Sequence, residues 1–279
     1  MNQELLRRRL LSFIREDAPS GDLASTFIPS RVVKAEVLLK EAGVLSGVEE
    51  VKVLFGMFNV EVLSSLNDGV VVPNPKRILL LKGDARDIIL TKRTAINILS
   101  RMSGITTLTQ QFIQKAKKEN PKIKITATRK TTPGFRYFEK KAVQLAGGDT
   151  HRMGLSDMVM IKDNHLKVLG GVAKALKEAK KHTSFTHKIE VEVRNKKDAL
   201  SAVENGADIV LLDNMSPGGI ADVLSTLQKK GLRKKSLIEA SGGITLENIS
   251  EYAKTGVDVI SIGRITTNYR ALDMSVEFR

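Results

Sequence analysis

The chain has no cysteine, no tryptophan, four histidines and only 4% aromatic residues among 279. Without cysteine there are no disulfides, no thiol catalysis and no cysteine-held metal. Four histidines with no His-x-x-x-His pair argue against a zinc centre. No apolar run reaches the roughly 18 residues of a membrane span. The opening Met1-Asn2-Gln3-Glu4-Leu5-Leu6-Arg7-Arg8-Arg9 lacks a secretory apolar core, so a cytoplasmic protein is the expectation. The shortage of aromatics also bears on the net charge of +14. A basic chain invites a nucleic-acid reading, but little is available here for base stacking. The cations are spread along the chain, and no DNA- or RNA-reading motif occurs. A basic surface that draws in anionic small molecules explains the charge as well.

What is present is an ordinary globular composition, 42% hydrophobic and 27% charged, long enough for one large domain or two smaller ones. Residues 4–15 have helical spacing. From Val32 to Lys82 the pattern becomes short strand-like runs, with Asn67-Asp68-Gly69 and Pro73-Asn74-Pro75 as turns and a helix over Val48 to Met57. This is an α+β region with a mostly antiparallel sheet. A helical pattern follows from about Ala85 to Lys118, and Ser103-Gly104 divides it into two helices meeting at a bend. The domain boundary is placed there, giving residues 1–104 and 105–279.

After Pro121 strand and helix alternate. Candidate strands are 123–127, 158–161, 189–193, 209–213, 237–240 and 257–261, with helices over 172–181, 196–205, 218–230 and 245–255 between them. Repeated βα units imply a parallel sheet. No G-x-G-x-x-G follows the first strand, so an incomplete TIM-like α/β barrel is expected rather than a Rossmann fold. Chemistry in such barrels collects at the carboxyl ends of the strands. Those ends carry Arg129-Lys130, Lys162, Glu192, Asp213, Ser241-Gly242-Gly243 and Gly263-Arg264.

The stretch from Thr126 to His165 supplies converging cations, Arg129, Lys130, His151, Arg152 and Lys162, which suit a ligand with several negative charges. In Ile189-Glu190-Val191-Glu192-Val193 the alternation turns both glutamates to the barrel interior. Two readings stand for them: an interior ion pair, or Glu192 joining Asp213 on magnesium or sugar hydroxyls. Asp213 also reads as an Asx-turn residue before the next helix. Ser241-Gly242-Gly243-Ile244-Thr245 follows a strand and is expected to open a helix, and Ser261-Ile262-Gly263-Arg264 repeats the pattern on the last strand. Paired loops there are the usual phosphate site of these barrels.

At these residues the sequence resembles the quinolinate phosphoribosyltransferase family. The matching pieces are Thr128-Arg129-Lys130-Thr131-Thr132-Pro133-Gly134, His151-Arg152-Met153-Gly154-Leu155, Ile161-Lys162-Asp163-Asn164-His165, Glu190-Val191-Glu192-Val193, Leu212-Asp213-Asn214 and Ser241-Gly242-Gly243-Ile244. Their order and spacing run over essentially the whole chain. The resemblance implies an amino-terminal α/β sandwich domain, an incomplete barrel from whose end the last dozen or so residues could return to the amino-terminal domain, and a homodimer, with higher oligomers left open. It implies reaction of quinolinate with phosphoribosyl pyrophosphate in NAD biosynthesis, with magnesium (Mg2+) held by Glu192 and Asp213. Arg129, Lys130, His151, Arg152 and Lys162 would bind quinolinate, with Thr128 beside them and Arg93 arriving from the partner subunit. Glu192 and Asp213 would also hold the ribose, and Ser241, Gly242, Gly243, Ser261, Ile262 and Gly263 the 5′-phosphate. The catalytic set would be Lys130, Lys162, Glu192 and Asp213.

Four positions depart from the family pattern. Lys92 replaces a usual glutamate, Ala146 a glycine and Thr150 an asparagine, while Arg264 follows Gly263 where a smaller residue is common. The runner-up is a molybdenum-transport-associated paralogue with a different acceptor, against which Ile161-Lys162-Asp163-Asn164-His165 speaks. A basic nucleic-acid-binding protein is the rival from another class.

Overall fold

The structure is a computed structural model describing residues 1–279. Two compact units arise, one from residues 1–108, 133–146 and 269–279, the other from residues 109–132 and 147–268. In chain order the first elements are α1 (Gln3–Asp17), β1 (Val32–Leu39), β2 (Gly43–Val44), α2 (Val48–Met57), β3 (Glu61–Ser65), β4 (Val71–Val72), β5 (Lys76–Asp84) and α3 (Ala85–Glu119). Asn2 caps α1 by accepting from the Leu5 amide at 2.8 Å, and Leu6, Leu10 and Ile14 form its buried stripe. Strand β1 buries Ala35, Val37 and Leu39, every second residue, as a sheet with one covered face requires.

The remaining elements are β6 (Lys124–Thr126), α4 (Arg136–Leu145), β7 (Val159–Ile161), α5 (Asp163–Leu169), α6 (Val172–His182), β8 (Ile189–Val193), α7 (Lys196–Glu204), β9 (Ile209–Asp213), α8 (Pro217–Lys229), β10 (Leu237–Ser241), α9 (Ile249–Lys254), β11 (Val259–Ser261), α10 (Arg264–Thr267) and β12 (Met274–Phe278). The first unit holds an antiparallel sheet ordered β12-β1-β5-β3, with Ala35 paired to Phe278 and Leu39 to Met274. α4 packs within the same unit, where Thr106 donates to the Ala142 carbonyl and Arg101 pairs with Glu139 at 2.7 Å.

The helix α3 corrects one expectation. It runs unbroken through Ser103-Gly104, which are packing residues rather than a bend. Ser103 Oγ accepts from the Ser46 amide at 3.0 Å, and a Cβ on Gly104 would lie 2.2 Å from the Arg270 carbonyl oxygen. Alanine normally gains up to ~1 kcal/mol over glycine inside a helix. Here the collision reverses the sign, and Gly104→Ala should cost about 2 kcal/mol, measured as a lower urea midpoint. An unchanged or raised midpoint would contradict this packing.

The second unit holds six parallel strands ordered β6-β11-β10-β9-β8-β7. The first strand pairs with the last, and the others follow in sequence, which is the cyclic order of an α/β barrel. Its seam lies between β6 and β7. There Asp149 sits against β6, donating its amide to Ile125 O at 2.8 Å and accepting from Ala127 N at 3.1 Å. The helices α6, α7 and α8 cover the outside with Val172, Ala175 and Leu176; Ala199, Ala202 and Val203; and Ile220, Val223, Leu224 and Leu227. No helix of the protein is long and apolar enough to cross a membrane.

Candidate active site

The carboxyl ends of all six strands surround a pocket of about 490 Å³. β6 leads into Ala127, Thr128, Arg129 and Lys130; β7 and its end give Met160 and Lys162; β8 gives Glu192; β9 gives Leu211 and Asp213; β10 gives Glu239 and Ser241; β11 gives Ser261. Register explains the convergence. Leu211 pairs with Glu192 on one side and Glu239 on the other, while Ser241 pairs with Asp213 and Ser261. Paired residues on neighbouring strands share a face, so these side chains form layers across the barrel interior.

One wall is cationic. Arg129 Nε is buried without a hydrogen-bond partner. Burial, and next the positive charge of Arg129, hold the Arg152 guanidinium below its ordinary pKa. Two guanidiniums close enough to repel favour an anion between them. An Arg152 terminal nitrogen also lies 3.0 Å from Met160 Sδ. Lys130 lies across Gly263, where a Cβ would sit 3.0 Å from Lys130 Cδ, and Thr266 donates to the Lys130 carbonyl at 2.6 Å. A side chain at 263 would press on the lysine stem, which would have to give way.

His151 is held from several sides. Its backbone is left-handed, with φ of 53°, and its amide donates to Asp149 Oδ1 at 2.7 Å. Nε2 lies 3.3 Å from Glu190 Oε2 and 3.4 Å from Glu239 Oε2. Burial by itself lowers the imidazole pKa, but these two carboxylates override it and push the value up to about 10. On the opposite edge Nδ1 accepts from the Arg152 amide at 2.9 Å, which favours a lone pair there. The two influences differ on the second ring proton but agree that Nε2 carries its own toward the glutamates. Burial, with Glu239 nearby, keeps the Glu190 carboxyl above its ordinary range.

The ends of β7, β8 and β9 bring two further carboxylates together with their cationic partners. Lys162 Nζ meets Glu192 Oε2 at 2.6 Å, and Arg194 Nε meets Asp213 Oδ2 at 3.0 Å. Two carboxylates suit magnesium, which takes one or two of them and completes its shell with water and substrate phosphate. An ion there would compete with Lys162 and Arg194 for these oxygens. Lys162 also precedes α5, and its amide donates to His165 Nδ1 at 2.9 Å, which explains the histidine at the end of Ile161-Lys162-Asp163-Asn164-His165.

Ser241 Oγ donates to Ser261 O at 3.2 Å, tying the two glycine loops together. The loop after β10 does not open a helix directly. Its φ values at Gly242 and Gly243 are 93° and 62°, and Asn248 bridges the turn by accepting from Thr245 N and donating to Gly243 O before α9 begins at Ile249. Phosphate contacts in this loop would come from turn amides, not from a helix end.

Thr128, Arg129, Lys130, His151, Arg152, Lys162, Glu192, Asp213, Ser241 and Ser261 therefore line one pocket. Gly242, Gly243, Ile262 and Gly263 lie in the adjoining loops without lining it, and Ile262 is buried. Arg93 stands on the exposed side of α3, and the pocket forms without it. Sequence reasoning missed Glu239, Met160 and Asn214. Glu239 left a readable signal, a charged residue two positions before Ser241 on the same strand face. Asn214 left a weaker one: its left-handed φ of 54° and its contact with Gly242, where a Cβ would lie 2.3 Å from Asn214 Oδ1, emerge only in the fold.

Residues 22–103 match the quinolinate phosphoribosyl transferase N-terminal domain, and residues 105–277 match its C-terminal domain. The chain is 45% identical over 268 residues to a probable nicotinate-nucleotide pyrophosphorylase (carboxylating) of Methanothermobacter thermautotrophicus, covering 95% of this chain and 96% of that protein. The human nicotinate-nucleotide pyrophosphorylase (carboxylating) is 36% identical over 266 residues, 95% of this chain and 89% of that one. A solved nicotinate-nucleotide pyrophosphorylase from Francisella tularensis superposes with a TM-score of 0.92 at 34% identity, covering 100% of this chain and 98% of that one. With both domains matched and relatives aligned end to end over a barrel pocket of this kind, the chain belongs to the quinolinate phosphoribosyltransferase family.

Proposed function

We propose that the protein is a phosphoribosyltransferase of NAD biosynthesis that converts quinolinate and phosphoribosyl pyrophosphate to nicotinate mononucleotide, pyrophosphate and carbon dioxide. The observation that carries this reading is one pocket lined by Arg129, Lys130, Arg152 and Lys162 together with the carboxylates of Glu192 and Asp213. The cationic side, Arg129, Lys130, His151, Arg152 and Lys162, takes the two acceptor carboxylates. Glu192 and Asp213 face the ribose, and Ser241 to Gly243 with Ser261 to Gly263 take the 5′-phosphate.

The ring nitrogen of quinolinate bonds to the anomeric carbon as the bond from that carbon to pyrophosphate breaks, and pyrophosphate leaves with the electron pair. Positive charge develops on the sugar carbon, where the two carboxylates stabilise it. Glu192 and Asp213 would hold magnesium, which would supply neutralisation of the leaving group's charge. The alkylated nitrogen is cationic and draws in the electrons left when the adjacent carboxylate departs as carbon dioxide, and that ring carbon then takes a proton. Fixing the dicarboxylate with the nitrogen toward the sugar is an orientation effect, worth several kcal/mol. Soluble anionic substrates fit a cytoplasmic enzyme.

Assaying nucleotide formation from quinolinate tests the reaction. Turnover of nicotinate or another acceptor in its place would favour the paralogue reading, and salt-sensitive RNA binding without turnover the nucleic-acid one. The proposal extends to a homodimer in which Arg93 completes the pocket of the neighbouring subunit. Arg93→Ala and Lys162→Ala proteins, each inactive alone, should then regain partial activity on mixing, because one pocket in the mixed dimer has both residues. Mixed subunits that exchange yet stay inactive would count against the shared site.

A further inference from the structure

Two glutamates beneath the cationic wall take no part in the roles above. Glu190 and Glu239 are 0% and 1% exposed, on β8 and β10, the strands flanking β9. Carboxylates buried under an anion pocket oppose the anion through a poorly screened interior, so they need a local counterpart. That counterpart is His151, whose Nε2 stands almost equidistant from both, at 3.3 and 3.4 Å. The far edge of the same ring, Nδ1, receives the amide of Arg152 at 2.9 Å. The ring is thus engaged at both edges, with Nε2 facing the two carboxyl groups and Nδ1 taking the amide, which fixes its plane. The turn they hold is left-handed at a non-glycine residue, a conformation that persists only where its surroundings fix it.

We propose that Glu190 and Glu239 are positioning residues that orient His151 and, through it, aim Arg152 at the acceptor's carboxylates. The role rests on the reaction proposed above. It accounts for acidic residues deep in a pocket otherwise built for anions: they act on the turn that presents the cations, one carboxylate level with Glu192 and the other a layer below. Glu239 pairs with Leu211, which pairs with Glu192, whereas Glu190 pairs with Met160 and Ile209.

The test is steady-state kinetics on the full-length wild type, Glu239→Ala, Glu239→Gln and Arg152→Ala, with the double variant Glu239→Ala/Arg152→Ala completing a cycle. Glu239→Ala should raise the KM for quinolinate about tenfold, well beyond any change in the KM for phosphoribosyl pyrophosphate. Glu239→Gln, which still offers an oxygen to Nε2–H, should restore most of the loss. In the Arg152→Ala background, Glu239→Ala should change the quinolinate KM by less than about twofold, since coupled residues are non-additive. Equal changes in both KM values, a fall in kcat alone, or full additivity would overturn the positioning role. So would a stoichiometric zinc or manganese ion bound by the wild type and lost in Glu239→Ala, because the three donor atoms lie within 4.8 Å of one another. Glu190→Gln, expected to behave like Glu239→Gln, is the second variant should Glu239→Ala fail to fold. A wild type that forms no nucleotide from quinolinate refutes the reaction itself, an outcome distinct from an active wild type whose variants break the pattern.

Discussion

Lys162→Ala is expected to lower kcat/KM for quinolinate about a thousandfold, the loss typical of removing a charged group that acts on the reacting centre. Two roles end together. In the proposed site the lysine is a cation for the acceptor, and it pairs with Glu192 at 2.6 Å. Without it Glu192 brings an uncompensated negative charge to a pocket that must admit a dicarboxylate and a pyrophosphate. Stability should hardly move. The lysine side chain is 45% exposed, and an ion pair of that kind is worth about 1 kcal/mol or less after solvent screening. A melting temperature within a few degrees of wild type would show that the loss is functional. Activity within about tenfold of wild type would remove Lys162 from the catalytic set.

Asp213→Asn should act on the other half of the reaction. Asparagine keeps the shape and can still accept from Arg194, which holds Asp213 at 3.0 Å, but it removes the charge proposed to face the ribose. The expected result is a fall in kcat of about a hundredfold, with the quinolinate KM changed much less, because the charge is needed most as the sugar carbon turns cationic. Glu192→Gln should resemble it but also leave the Lys162 charge unneutralised, so its quinolinate KM should shift as well. A kcat for Asp213→Asn close to wild type would contradict a role in stabilising that charge.

Much of this site was legible because barrel strands are short, apolar and regularly spaced. Ile209 to Asp213 and Leu237 to Ser241 announce themselves, and their ends then name Asp213 and Ser241 without further information. Other parts were hidden for physical reasons. α4 escaped notice because Glu139 and Lys140 are fully buried on it, so its polar residues do not mark a solvent face. Ser103-Gly104 reads as a helix breaker by local propensity, yet its job is to let Ser46 and the backbone of Arg270 approach. Tertiary packing overrides propensity there. Glu239 lay inside a correctly read strand, but only the register with Leu211 and the turn at His151 gives it a purpose.

In the proposed reaction one pocket joins quinolinate to a phosphoribosyl group and then releases carbon dioxide. The most direct measurement incubates the purified protein with quinolinate, phosphoribosyl pyrophosphate and magnesium, and follows nicotinate mononucleotide and carbon dioxide together. Both products should form in equal amounts, dependent on both substrates. Nucleotide formed from nicotinate but not from quinolinate, or no nucleotide at all, would contradict it.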